Sequence, residues 1–123
     1  RFAMAKLIKK YELGIVFYIL DDVKKVALEN NVEHVNSVTI EVGEVSTVIP
    51  DYLLDCWNWA TNKNELTKNC KLKIETIKAF SHCETCKTEF ETVKNGKTCP
   101  KCGGSHTYLV KGDEINIKEI EVI

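Results

Sequence analysis

From Glu12 to Asn30 the apolar residues Val16, Ile19, Leu20, Val23, Val26 and Ala27 return at three- and four-residue steps. That spacing draws a single stripe along a helix, the stripe that packs on a core. Asp21, Asp22, Lys24, Lys25 and Glu29 fall mostly on the opposite, solvent side. Asn30-Asn31 is a suitable stop, because Asn tolerates the left-handed conformation at a helix end. Val38-Thr-Ile40-Glu-Val42 then alternates strictly, the pattern of a half-buried strand, and Gly43 closes it. A short loop from Glu44 to Ile49 leads to Pro50, well suited to the first turn of a second helix. Leu53, Leu54, Cys56, Trp57 and Ala60 form the inward stripe of that helix, and Thr61-Asn62-Lys63-Asn64 is its exit.

Alternation resumes at Leu72-Lys-Ile74-Glu and continues through Ile77 and Ala79, predicting a strand from about Lys71 towards the first of two cysteine pairs. Beyond the second pair, Thr107 to Val110 is a short strand and Lys111-Gly112-Asp113-Glu114 a turn. The last strand, Ile115-Asn-Ile117-Lys-Glu-Ile120-Glu-Val122, changes phase between Ile117 and Ile120, as a bulge would make it do. The expected class is α/β (α+β): a three-stranded sheet packed with two helices, plus an inserted four-cysteine zinc ribbon. By this reading residues 1–80 and 107–123 make the α/β domain and 81–106 the insertion. The strands flanking the insertion lie side by side, so that its ends close on the metal.

The cysteines supply the chemistry. Four of the six stand as Cys83-Glu-Thr-Cys86 and Cys99-Pro-Lys-Cys102, the second pair followed by Gly103-Gly104. A Cys-x2-Cys turn presents two sulfurs from one tight loop, and a second such turn completes the tetrahedron that structural zinc requires. The twelve residues between Cys86 and Cys99 leave room for a β-hairpin between the knuckles. Phe80, Phe90 and Tyr108 are the expected apolar filling of a subdomain too small to fold without its metal. Iron in a rubredoxin-like site is the chemical runner-up, since four thiolates suit either ion. His82 and His106 flank the pairs and read as ordinary polar residues, because the thiolates already fill the shell. Cys56 and Cys70 stand alone and read as small buried side chains.

Charge and composition narrow the functional classes. Seventeen Lys/Arg face eighteen Asp/Glu, a net charge of −1 that argues against a nucleic-acid binder, which carries a basic excess. No run approaches the roughly 18 apolar residues of a membrane span. Arg1 to Leu20 resembles the start of a signal peptide, but no small-residue cleavage site follows and the helical pattern runs on. A cytoplasmic protein is the expectation, in a reducing compartment that favours a metal over disulfides. No catalytic constellation is present: His34 lies in a polar turn, and no Ser or Cys has a nucleophile's context. The chain reads as a non-enzyme.

Taken in order, these residues resemble the HypA/HybF family of hydrogenase maturation proteins. The resemblance rests on Glu12-Leu13-Gly-Ile-Val in the first helix, Val42-Gly43-Glu44-Val-Ser46 after the first strand, and Pro50. The two cysteine knuckles and Gly112-Asp-Glu114-Ile-Asn-Ile-Lys-Glu-Ile120-Glu complete it. It implies a metallochaperone that delivers nickel to the large subunit of nickel–iron hydrogenase alongside a maturation GTPase. It also implies structural zinc on Cys83, Cys86, Cys99 and Cys102.

Family members begin Met-His-Glu and hold nickel there. The corresponding stretch is Lys10-Tyr11-Glu12, so Glu12 matches the nickel site and Tyr11 stands where the histidine belongs. Three accounts of the opening residues stand open. It is an altered segment replacing the native start, or the member has lost or moved its nickel site, or Met4 begins a natural variant with an extended helix. A zinc-ribbon interaction or regulatory module without nickel binding is the alternative function. The long first helix and the insertion leave room for a homo-oligomer that exchanges segments.

Overall fold

The computed structural model describes residues 2–122, with side chains described from residue 11 onward. Its elements are α1 (Phe2–Glu29), β1 (Val35–Gly43), α2 (Pro50–Thr61), β2 (Lys71–Ile77), β3 (Phe80–Cys83), β4 (Glu89–Glu91), α3 (Thr92–Asn95), β5 (Thr107–Lys111) and β6 (Ile115–Val122). One three-stranded sheet runs β2-β1-β6 and a second runs β4-β3-β5. The α+β class and the pairing of two main helices with a three-stranded sheet are as the sequence pattern requires.

Helix α1 packs on α2, and the predicted stripe of Val16, Ile19, Leu20, Val23 and Ala27 is buried. Val26 departs from it, with 41% of its surface exposed. It lies next to Ala27 at the rim, where the last turn of α1 leaves the core. The helix ends as its asparagines demand: Asn31 takes φ +55°, and Val32 N–H donates to Ala27 O at 2.9 Å. This six-to-one bond with a left-handed residue is a Schellman closure.

Trp57 of α2 is fully buried, and its indole N–H donates to the Cys70 carbonyl at 2.9 Å. Thr61 donates to Trp57 O at 2.7 Å, and Thr67 donates to Thr61 O at 3.0 Å, so the exit from α2 is hydrogen-bonded throughout. Replacing Trp57 with phenylalanine removes the donor and leaves a void. The expected loss is about 2–3 kcal/mol, read as a lowered midpoint in urea or thermal denaturation.

Two regularities of the sequence do not survive in the fold. Strand β1 is buried on both faces, Ser37 and Thr39 included. The strand lies centrally between β2 and β6, and Ser37 and Asn36 reach Glu121 of β6, Asn36 at 2.8 Å. The single strand expected from Lys71 to the cysteines is broken at Lys78-Ala79 into β2 and β3, which belong to different sheets.

The chain forms two compact units, one of Arg1–Ile40, Val48–Ile74 and Ile117–Ile123, the other of Glu41–Thr47 and Glu75–Asn116. The segment 81–106 lies wholly inside the second. Strand β3 pairs antiparallel with both β4 and β5 there; of the two strands expected to flank the insertion side by side, β2 lies in the other sheet, and its place beside β5 is taken by β3. Between the knuckles stand β4 and the one-turn α3, in place of the expected hairpin. Strand β4 finds its partner in β3, so no second strand from the same segment is needed. The segment Glu41–Thr47, the end of β1 and the turn after it, is stitched in by backbone bonds: Gly43 N–H to Glu114 O at 2.8 Å, Glu44 N–H to Ile77 O at 2.9 Å and Val45 N–H to Gly112 O at 2.9 Å.

Candidate metal centre

The two knuckles fold alike because their sequences make the same demands. Each begins with a cysteine whose carbonyl accepts from the residue four places on, Lys87 N–H at 2.8 Å and Gly103 N–H at 2.9 Å. Each first cysteine's own N–H donates to the residue five places on, to Thr88 O at 2.9 Å and to Gly104 O at 3.0 Å. The fourth position after the cysteine takes positive φ in both, +73° at Gly103 and +63° at Lys87. Glycine accepts that conformation freely, whereas lysine is held there against a steric cost of about 1–2 kcal/mol.

These turns bring the ligand atoms of Cys83, Cys86, Cys99 and Cys102 within 4.8 Å of one another. Across the knuckles Cys83 Sγ lies 3.6 Å from Cys102 Sγ, and Cys86 Sγ lies 3.5 Å from Cys99 Sγ. Sulfurs set 2.3 Å from a tetrahedral zinc ion are about 3.8 Å apart. The cluster therefore has the size and the donor set of a four-thiolate zinc site. Cys83 and Cys99 are buried with Phe90, Cys86 packs partly buried against them, and Cys102 is exposed. Tyr108 is not part of this filling: it is 51% exposed and stacks at a tilt on His82, ring centres 5.4 Å apart.

The thiols are unequal. Cys86 Sγ sits 3.2 Å from Thr88 Oγ1, and hydrogen bonds from the Thr88 hydroxyl and backbone hold its pKa down to about 6. Cys83 is also lowered, chiefly by the Cys86 backbone N–H. At Cys102 the Gly104 N–H, 3.4 Å from Sγ, pulls downward. Cys83, burial and the other two sulfurs outweigh it and push the thiol up to about 12. Four sulfurs crowded together cannot all ionise without a cation among them, which is the electrostatic case for a metal here.

The remaining candidates fall elsewhere. Neither His82 nor His106 joins the cluster; His106 contributes its carbonyl, which accepts from Glu84 N–H at 2.9 Å. The His34 ring nitrogen Nε2 lies 2.8 Å from the Lys68 carbonyl. Cys56 and Cys70 are buried, and burial pushes the Cys70 thiol up to about 11, well out of reactive range. Glu12 is 1% exposed, and its Oε2 accepts from Ile49 N–H at 2.9 Å, while Tyr11 beside it is 51% exposed. Residue-by-residue reading misses three supports: Thr88 beside Cys86, Ile49 beside Glu12, and Thr107, whose hydroxyl donates to Lys97 O at 2.8 Å. A hydroxyl two residues after a ligand cysteine is a usable signal for the first. The other two are long-range and leave none.

The fold and the centre together define a small α+β protein with a four-thiolate metal subdomain. Residues 11–122 match the family described as "Hydrogenase/urease nickel incorporation, metallochaperone, hypA". The chain belongs to the HypA family. It is 30% identical to the hydrogenase maturation factor HypA of Actinobacillus succinogenes over 112 residues, covering 91% of this chain and 98% of that one. Its counterpart in Methanocella arvoryzae is 29% identical over 112 residues, covering 91% and 97%. The fold matches the solution structure of the nickel metallochaperone HypA from Helicobacter pylori with a TM-score of 0.70. That match has 18% identity and covers 91% of this chain and 97% of that one. No helix among the described residues is long and apolar enough to cross a membrane.

Proposed function

We propose that this chain is a cytoplasmic, non-enzymatic carrier that delivers nickel to the large subunit of a nickel–iron hydrogenase, in concert with a maturation GTPase. A zinc ion on Cys83, Cys86, Cys99 and Cys102 holds the segment 81–106 folded, and residues 1–80 with 107–123 carry the cargo site around Glu12. The observation that carries this reading is the family match over residues 11–122, nearly the whole chain. The thiol cluster supports its zinc half, since four sulfurs within 4.8 Å match the closed four-ligand shell of a structural zinc site.

Nickel titration by calorimetry tests it, run on this chain and on a version with Tyr11→His, shortened so that a starting methionine replaces Lys10. The restored version is expected to bind one nickel ion and the present chain to bind it more weakly. A phenol with a pKa of about 10 is a poor ligand beside an imidazole. Failure of both to bind would overturn the carrier reading.

The second reading, a zinc-ribbon interaction or regulatory module without nickel traffic, is favoured by Tyr11 at that position. Recovery of a hydrogenase subunit or a maturation GTPase in a pull-down counts against it.

A further inference from the structure

Glu12 matches the family's opening motif, yet its carboxylate is not placed as a ligand for an incoming ion. Only 1% of the residue is exposed. Oε2 is engaged by Ile49 N–H at 2.9 Å, and Oε1 is buried with no hydrogen-bond partner among the described residues. Ile49 is the N-cap residue of α2, and neither it nor a neighbour caps the helix with its own side chain. The next residue, Pro50, has no N–H. Thus the carboxylate, contributed from 37 residues earlier in the chain, lies at the amino end of a 12-residue helix, where the backbone dipoles favour a negative charge.

We propose that Glu12 is a positioning residue: it caps α2 from α1 and thereby fixes the backbone at residues 11 and 12, without itself coordinating the cargo. This rests on the carrier reading above. With Oε2 engaged and Oε1 buried, neither oxygen is open to a hydrated divalent ion. The side of α1 at residue 11, by contrast, is exposed.

Glutamine and alanine separate a cap from a ligand. In Glu12→Gln the Ile49 N–H selects the amide oxygen, so the cap survives and the charge is lost. Alanine loses both. The full-length chain, its two variants and the same pair in the Tyr11→His background are compared by hydrogen exchange at the Ile49 amide and by nickel calorimetry.

Glu12→Ala is expected to speed Ile49 exchange by about tenfold or more, the weight of a lost bond to a charged acceptor, and to weaken nickel binding. Glu12→Gln is expected to rescue both, with exchange and affinity within about threefold of the parent. A Gln variant that keeps Ile49 protected but loses nickel by tenfold makes the carboxylate a ligand and overturns the inference. So does an Ala variant with unchanged Ile49 exchange. If every chain tested, the restored parent included, takes no nickel, the carrier reading falls and takes the nickel half of this inference with it.

Discussion

Serine in place of Cys83 or Cys99 is expected to reduce bound zinc from about one ion per chain to near none, and to unfold the segment around the knuckles. Both sulfurs are buried with Phe90 in a cluster that contains no other fully apolar side chain. Structural zinc contributes on the order of 10 kcal/mol or more to folding such a segment, and a serine hydroxyl replaces a thiolate poorly. Metal content by elemental analysis and amide dispersion by NMR read the two effects. The α1–α2 core, with Trp57 and Leu53 at its centre, lies in the other compact unit and keeps its signals. Full zinc retention in the Cys83 variant would sink the four-thiolate assignment.

Acid should release the same ion. A thiol whose pKa is lowered contributes above its ordinary range, and the contribution is lost as pH falls through the lowered value. For Cys86 that value is about 6 in the absence of metal, set by Thr88. Valine at position 88 removes the hydroxyl donor and raises the thiol towards its ordinary range. The midpoint of zinc release therefore moves to higher pH, a shift that a chromogenic chelator follows directly.

The second large effect is steric. A Cβ on Gly43 would stand 2.0 Å from the carbonyl oxygen of Gly112, and one on Gly112 would stand 2.3 Å from Cα of Ala79. Gly112 also takes φ +114°, a region that side chains avoid. Three backbone segments are stacked here with nothing between them, and the obstacle in each case is main chain, which cannot swing aside. Gly43→Ala and Gly112→Ala are each expected to destabilise the second unit by about 3–5 kcal/mol, a fall in its thermal midpoint of roughly 10 °C or more. Gly14→Ala is the control. Its added Cβ meets nothing within 4 Å on an exposed turn of α1, and the exchange should stabilise by about 0.5–1 kcal/mol.

The glycine stack also gives a physical reason for two stretches that carried the family resemblance. Val42-Gly43-Glu44-Val-Ser46 and Gly112-Asp-Glu114 are far apart in the chain, and each alone reads only as the end of a strand or a turn. Folded, the first donates backbone hydrogen bonds to the second and lies against it, and Gly112 of the second lies against Ala79. The contact also accounts for the break at Lys78-Ala79. Ala79 is pinned under Gly112 and its carbonyl accepts from Thr92 N–H at 3.0 Å, so β2 cannot run on as β3 in the same sheet.

What the sequence by itself determined were the features whose cause is local. The helical stripe of α1 and the asparagine stop follow from periodicity and from one residue's tolerance of positive φ. The placing of Pro50 at the start of α2 follows from proline's fixed φ and missing N–H. The pairing of four thiols follows from two short turns of fixed length, and it was fully legible.

Tertiary structure alone decided everything that depends on what arrives from elsewhere. It buried Ser37 and Thr39 on the face of β1 expected to meet solvent, left Val26 and Tyr108 outside the cores they were expected to fill, and gave β4 a partner across the sheet instead of within its loop. It also turned Glu12 from a motif position into the cap of a helix 37 residues away. The reason is the same in each case: burial and hydrogen bonding are settled by neighbours in space, and a periodic pattern names the face a residue presents without naming what will cover it.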